Sequence, residues 1–138
     1  MGSLIRFGVS LPIELLKNFD ILIKKMGYNN RSEAIRDLIR KSLIEEEWKS
    51  KKEVAGAILL VYNHHTRELV NKLLDIQHDF GKLIISVQHV HLDHDNCMEV
   101  LAVKGKTHEI KELYYKLKSV RGVKQCELVK ATTGKKVK

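Results

Sequence analysis

Residues 4–11 alternate so regularly that they read as a strand, yet nothing nearby in the sequence can pair with it. Ile5, Phe7, Val9 and Leu11 form one face; Arg6, Gly8 and Ser10 form the other. Pro12 suits the first position of a helix. Ile13, Leu16, Phe19, Ile23 and Met26 then recur at helical spacing, and Gly27 ends the helix. Tyr28-Asn29-Asn30 makes a turn. Asn30 can cap a second helix, with Glu33 in the capping-box position and Ala34, Ile35, Leu38, Ile39 and Leu43 on the apolar side. A strand's backbone groups must be paired. One strand and two helices in under about 50 residues bury little core by themselves. An intertwined dimer meets both demands: the strand pairs with its copy, and four helices share one core.

The rhythm changes after Trp48 and the charged stretch 49–53. Val54 to Tyr62 is an apolar strand. A helix runs from about Thr66, marked by Leu69, Val70, Leu73, Leu74 and Phe80 and closed by Gly81. Leu83 to His91 and Cys97 to Lys104 read as strands. Thr107 caps a helix carrying Ile110, Leu113, Tyr114 and Leu117, and Gly122 to Lys130 is the last strand. The order βαββαβ is the ferredoxin-like arrangement. The expected class is α+β: a strand-helix-helix module over 1–48, a linker over 49–53, a ferredoxin-like domain over 54–131 and a basic tail over 132–138.

Composition narrows the setting. The 138 residues are 43% apolar and 30% charged, as in a soluble folded protein. No apolar run approaches the ~20 residues that cross a membrane. The first residues lack a signal peptide's charged start and apolar core, so a cytoplasmic location and no membrane partner are expected. Two cysteines, Cys97 and Cys126, make no disulfide framework; Cys126 reads as a small buried apolar residue in the last strand. The net charge of +8, spread over both halves, favours an anionic partner such as nucleic acid.

A two-stranded ribbon fits the major groove of DNA. Its outward face would carry Arg6, Gly8 and Ser10 from each chain. Arg6 can donate two hydrogen bonds to a guanine edge, Ser10 can bond several base edges, and Gly8 permits close approach. The start of the second helix, at Asn30, Arg31 and Ser32, offers backbone N–H groups to a phosphate. Arg31, Arg36 and Arg40 add charge nearby. This is the ribbon-helix-helix architecture, and double-stranded DNA with two-fold-related half-sites is the expected partner. The bland alternative is a dimerisation module whose strand only edges a sheet.

The second constellation is His89-x-His91-x5-Cys97. On a strand, His89 and His91 share a face. If Leu92 to Asn96 turn the chain, Cys97 returns opposite His91. Imidazole and thiolate suit a borderline-soft transition metal. Two nitrogens and a sulfur in a flat arrangement suit Ni(II) or Cu(II), and a tetrahedral zinc site stays open. A fourth ligand is needed, with His64, His65, His78, His94 and His108 as candidates. His78, near a helix end just before the hairpin, is the attractive one; the other four read as surface or turn histidines. Glu99 shares the strand face with Cys97, roughly opposite His89, and can orient that imidazole. No His-Glu-x-x-His motif points to a metalloenzyme, and no enzymatic activity is expected. The remaining alternatives are a regulator of the same architecture responding to zinc or copper, and an antitoxin-like DNA-binding protein.

Gly27-Tyr28-Asn29-Asn30-Arg31-Ser32-Glu33-Ala34-Ile35-Arg36-Asp37, together with His89-x-His91-x5-Cys97, resembles the nickel-responsive transcriptional regulators over nearly the whole chain. The resemblance implies a homotetramer: two N-terminal dimers flank a core of four C-terminal domains of ACT-like, βαββαβ type. It implies Ni(II) held by His89, His91 and Cys97 of one chain and by His78 of a neighbour. It implies a second cation site, often filled by potassium, whose carboxylates fall on Glu33 and Asp37. It further implies repression of nickel-uptake genes with Ni(II) as co-repressor. The chain departs from the family's usual ribbon, which presents polar residues at all three outward positions, often an arginine and two threonines.

Overall fold

The computed structural model describes residues 2–138. It divides into two compact units, Met1–Ile39 and Arg40–Lys138.

In the first unit, helix α1 spans Ile13–Lys25 and helix α2 spans Arg31–Glu47, continuing into the second unit. Pro12 sits one residue earlier than expected, at the N-cap of α1. Gly27, at φ +86, ends α1 in the left-handed conformation that a residue without a Cβ adopts freely. The Gly27 and Tyr28 amides then donate to the Lys24 and Ile23 carbonyls, closing the helix end. The Asn30 side chain caps α2 by accepting the Glu33 amide at 2.9 Å.

The expected strand over 4–11 is not formed in the single chain; residues 2–11 adopt no helix or strand. The physical reason is the one given by the sequence: a lone strand has no partner for its backbone. Leu4, Ile5, Phe7 and Val9 are 63–90% exposed. The apolar faces of the helices are open as well, including Ile13, Ile21, Met26 and Leu38, and only Ile23 and Ala34 are buried among the described residues of this unit. Soluble monomers rarely present apolar surface so continuously.

The second unit is built on an antiparallel sheet of four strands: β1 (Glu53–Asn63), β2 (Ile84–His91), β3 (Asn96–Lys106) and β4 (Gln125–Ala131), in the order β2-β3-β1-β4. Helix α3 (Arg67–Asp79) joins central β1 to edge β2, and α4 (Thr107–Lys118) joins central β3 to edge β4, giving the expected βαββαβ order. Alternate residues of β1 (Val54, Ile58, Leu60, Tyr62) and of β3 (Cys97, Leu101, Val103) pack with Leu69 and Leu73 of α3 and Ile110, Leu113 and Leu117 of α4. Trp48, grouped by sequence with the first two helices, belongs to this core at 2% exposure, and its indole N–H donates to the Ala131 carbonyl at 2.9 Å.

Two smaller expectations are corrected. Thr107 does not cap α4. It is the first helical residue, Lys106 holds the N-cap position, and the buried Thr107 hydroxyl has no hydrogen-bond partner among the described residues. The last strand begins at Gln125 rather than Gly122, because Gly122 (φ +100) lies in the preceding turn.

Gly56 of β1 is a point of close approach. A Cβ there would lie 2.9 Å from the Val129 carbonyl oxygen and 3.2 Å from the Trp48 ring. Backbone and a packed indole cannot both retreat cheaply. A Gly56→Val variant is expected to be destabilised by about 1–3 kcal/mol, read as a lowered melting temperature; an unchanged transition would show that β4 and Trp48 are free to shift. No helix among the described residues is long and apolar enough to cross a membrane.

Candidate metal centre

The hairpin β2–β3 aligns the donors as the spacing predicts. His91 pairs with Cys97 and His89 with Glu99. The tight turn between them is held by Asp93, whose carboxylate accepts the Asp95 and Asn96 amides at 2.9 and 2.7 Å and the Asn96 side-chain amide as well. The Asn96 side chain and then the Asn96 and Asp95 amides push the Asp93 carboxyl down to about 2. Its contribution to the turn is therefore complete above the ordinary carboxylate range and is lost only as pH falls through about 2.

His89 lies between two groups. Its Nδ1 is 3.5 Å from the Cys97 sulfur, and its Nε2 is 3.0 Å from Glu99 Oε2. If Nε2 carries the proton that it donates to Glu99, the Nδ1 lone pair faces the sulfur. The thiol S–H can then donate to that nitrogen, and His89 Nδ1 and the Cys97 sulfur are the two atoms that would hold a metal ion once that proton is lost. Cys97 is buried, whereas the His89 side chain is 51% exposed, so the donor set opens toward solvent from the His89 side.

Glu99 is 2% exposed and accepts from three donors: His89, the Tyr62 hydroxyl at 2.5 Å and the Gln77 side-chain amide at 2.7 Å. Burial, followed by the hydrogen bond to Glu99, pushes the Tyr62 phenol far above its usual value and keeps it a donor. Sequence reasoning found Glu99 but missed Tyr62 and Gln77. The available signals were the alternation of β1, which sets Tyr62 opposite Cys97, and the adjacency of Gln77 to His78.

Exchanging Glu99 for glutamine turns one acceptor into a donor pointing at donors. An orienting partner of this kind is worth ~10–100-fold in metal affinity. Glu99→Gln is expected to weaken nickel binding by that factor while the thiolate-to-nickel absorption still develops at higher nickel. Unchanged affinity would remove Glu99 from any role in positioning His89.

His78 stands apart. It lies on the last turn of α3, lining a surface depression with Leu74, Gln77, Ile84 and Val87. It makes no hydrogen bond or ring contact with His89, His91 or Cys97 among the described residues of one chain. His64 does approach, with its ring 5.1 Å from that of His91. Cys126 is buried, as expected, and burial raises its thiol to about 11. His108, at the start of α4, joins none of these contacts among the described residues.

In the first unit, Arg6, Gly8, Ser10, Ser32 and Arg36 are exposed. Two of the expected phosphate-binding groups have internal partners. Asn30 is engaged in the α2 cap, and Arg31 makes a two-pronged ion pair with Asp20 at 2.9 and 2.8 Å, which holds the Asp20 carboxyl below its usual range. Glu33 and Asp37 are one helical turn apart on α2, and Asp37 accepts the Tyr28 hydroxyl at 2.8 Å.

Residues 55–131 match the model of the NikR C-terminal nickel-binding domain, and residues 5–46 match the ribbon-helix-helix protein, CopG family. A protein of Syntrophus aciditrophicus named as a nickel-responsive regulator is 56% identical over 128 residues, 93% of either chain. One from Pyrococcus furiosus with the same name is 50% identical over 136 residues, covering 98% of this chain and 99% of the relative. Among solved structures, an uncharacterized protein from Thermotoga maritima superposes on 59% of this chain with a TM-score of 0.54 and 16% identity, a likeness of fold alone. With a ribbon-helix-helix segment at one end and a nickel-binding domain at the other, the chain belongs to the family of nickel-responsive regulators.

Proposed function

We propose that this protein is a nickel-dependent repressor that binds two-fold-related operator DNA as a homotetramer, with Ni(II) as co-repressor. The carrying observation is the clamped His89, with Glu99 on one ring nitrogen and the Cys97 sulfur 3.5 Å from the other. His89, His91 and Cys97 would hold the ion. His78, which makes no hydrogen bond or ring contact with them among the described residues of its own chain, would supply the fourth donor to a second copy. Bound nickel would supply a bond across the subunit boundary.

The exposed edge strand β2, with Ile85 66% and Val87 42% exposed, supports contact between C-terminal domains. The open apolar surface of residues 4–11, α1 and α2 supports pairing of N-terminal segments into a ribbon bearing Arg6, Gly8 and Ser10. Arg36 and the α2 start at Asn30–Ser32 would lie against phosphate, with Arg31 bracing α1 through Asp20. Glu33 and Asp37 would form the second cation site, suited to potassium. By linkage, operator DNA raises nickel affinity by the factor by which nickel raises DNA affinity.

Two measurements test this. DNA selected from a random pool with nickel-loaded protein should bind far more weakly when the metal is chelated. Sedimentation should give four chains per particle. Equal DNA binding with and without chelator would refute the repressor mechanism, and a zinc or copper preference in competition would reassign the metal.

A further inference from the structure

Residues 132–138 turn back along the C-terminal half of α2. Thr132 Oγ1 accepts the Gly134 amide at 3.0 Å and shapes the turn. Three ties join this end of the chain to α2 and to the residue after it. The Trp48 indole N–H donates to the Ala131 carbonyl at 2.9 Å, Lys130 Nζ stands 3.1 Å from Glu45 Oε2, and Arg40 Nε donates to the Lys138 main-chain oxygen at 2.7 Å. The tail therefore runs antiparallel to the helix, from Trp48 at its start to Arg40 at its end.

This is the geometry of a strap fixed at both ends. Residues 40 to 48 rise ~12 Å along a helix, whereas residues 131 to 138 reach about 24 Å when extended. The slack leaves a cavity of about 390 Å³, lined by Leu43, Glu47 and Ser50 from the helix side and by Thr133, Lys136 and Val137 from the tail. No residue of 132–138 belongs to the buried core among the described residues, so the strap can open without unpacking the sheet. One contact works against closure: the Lys136 ammonium beside Lys52 pushes the Lys52 ammonium below its usual range.

The helix under the strap is continuous from Arg31 to Glu47 and contains no proline or glycine at which to hinge. Tying down its last turns therefore restrains its start, whose amides are the ones assigned above to DNA phosphate. We infer that residues 132–138 are a positioning strap for DNA binding: tied to Arg40 and Trp48, they restrain α2 and raise DNA affinity without touching a nickel donor. The inference rests on the DNA-binding reading above.

The test sets the wild type beside two variants, using the DNA selected with the nickel-loaded wild type. One variant lacks residues 132–138. The other keeps the full chain and carries Lys135→Gln, Lys136→Gln and Lys138→Gln; it loses the same charge but keeps the main-chain tie to Arg40 and loses the contact that opposes closure. In the shortened chain, amide hydrogen exchange over residues 41–48 should quicken by at least about tenfold and DNA affinity should fall by a similar factor, the scale of one charge-assisted hydrogen bond. Nickel affinity without DNA and the thiolate band should be unchanged, which also reports that the fold survives. The glutamine variant should keep the slow exchange and lose less DNA affinity than the shortened chain. Unchanged exchange in the shortened chain overturns the strap. Equal losses of DNA affinity in the two variants overturn the positioning role, since the tail would then act only as charge toward phosphate. A wild type that selects no DNA refutes the repressor reading instead, and the exchange comparison then decides by itself whether the tail restrains α2.

Discussion

A Cys97→Ala variant is expected to lose the thiolate-to-nickel absorption entirely and to bind nickel at least about 100-fold more weakly, since loss of an outer orienting partner alone costs ~10–100-fold. The fold should persist. Cys97 is a small buried residue whose sulfur contacts are the His89 ring and a long 3.8 Å approach to the Met98 carbonyl. Alanine removes one buried heavy atom from a rigid strand pair, so a cavity cost of about 1 kcal/mol is expected. At a fixed, subsaturating nickel concentration, nickel-stimulated DNA binding should fall with nickel occupancy, and operator DNA should raise the variant's nickel affinity by the factor by which nickel raises its DNA affinity. Retention of the absorption band would assign it to a different sulfur, and Cys126, protonated at neutral pH behind its burial, is a poor substitute.

The second large effect concerns the N-terminal segment. Phe7→Glu with Val9→Glu places charges where the proposed ribbon buries its apolar face. In the single chain both residues are exposed, at 70% and 63%, so the substitutions cost the isolated fold nothing. In the dimer they set four carboxylates into a shared core, a penalty of several kcal/mol. Operator affinity should drop by at least about 100-fold, equivalent to ~3 kcal/mol. The thiolate-to-nickel band should remain, since the donors lie in the other unit. A gel-shift assay beside a nickel titration reads both quantities. Undiminished DNA binding would mean that residues 4–11 do not form the DNA-reading element.

What the sequence disclosed and what it withheld divide along locality. The pairing of His91 with Cys97 and of His89 with Glu99 was legible because the period of two and the tight turn determine it within one short segment. The Asn30 cap and the Gly27 stop were equally local. The alternation over 4–11 is visible in the sequence, but the single chain offers that segment no strand to pair with and it forms none; the proposed pairing needs a second copy. Trp48 was grouped with its neighbours, yet its partners, Gly56 and Ala131, stand far along the chain. Tyr62 and Gln77 escaped notice for the same reason: they reach Glu99 from β1 and α3, and no spacing rule links positions 62, 77 and 99. Arg31 looked free for phosphate because its partner Asp20 sits on a different helix.

The turn held by Asp93 makes loop length part of the metal chemistry. Side chains on a strand change face with every residue, so one residue inserted between His91 and Cys97 would aim the thiol away from the imidazoles while leaving every ligand in the sequence. A hairpin of this kind can lose its metal without losing a ligand, and a comparison that checks only for two histidines and a cysteine would still count such a chain as competent.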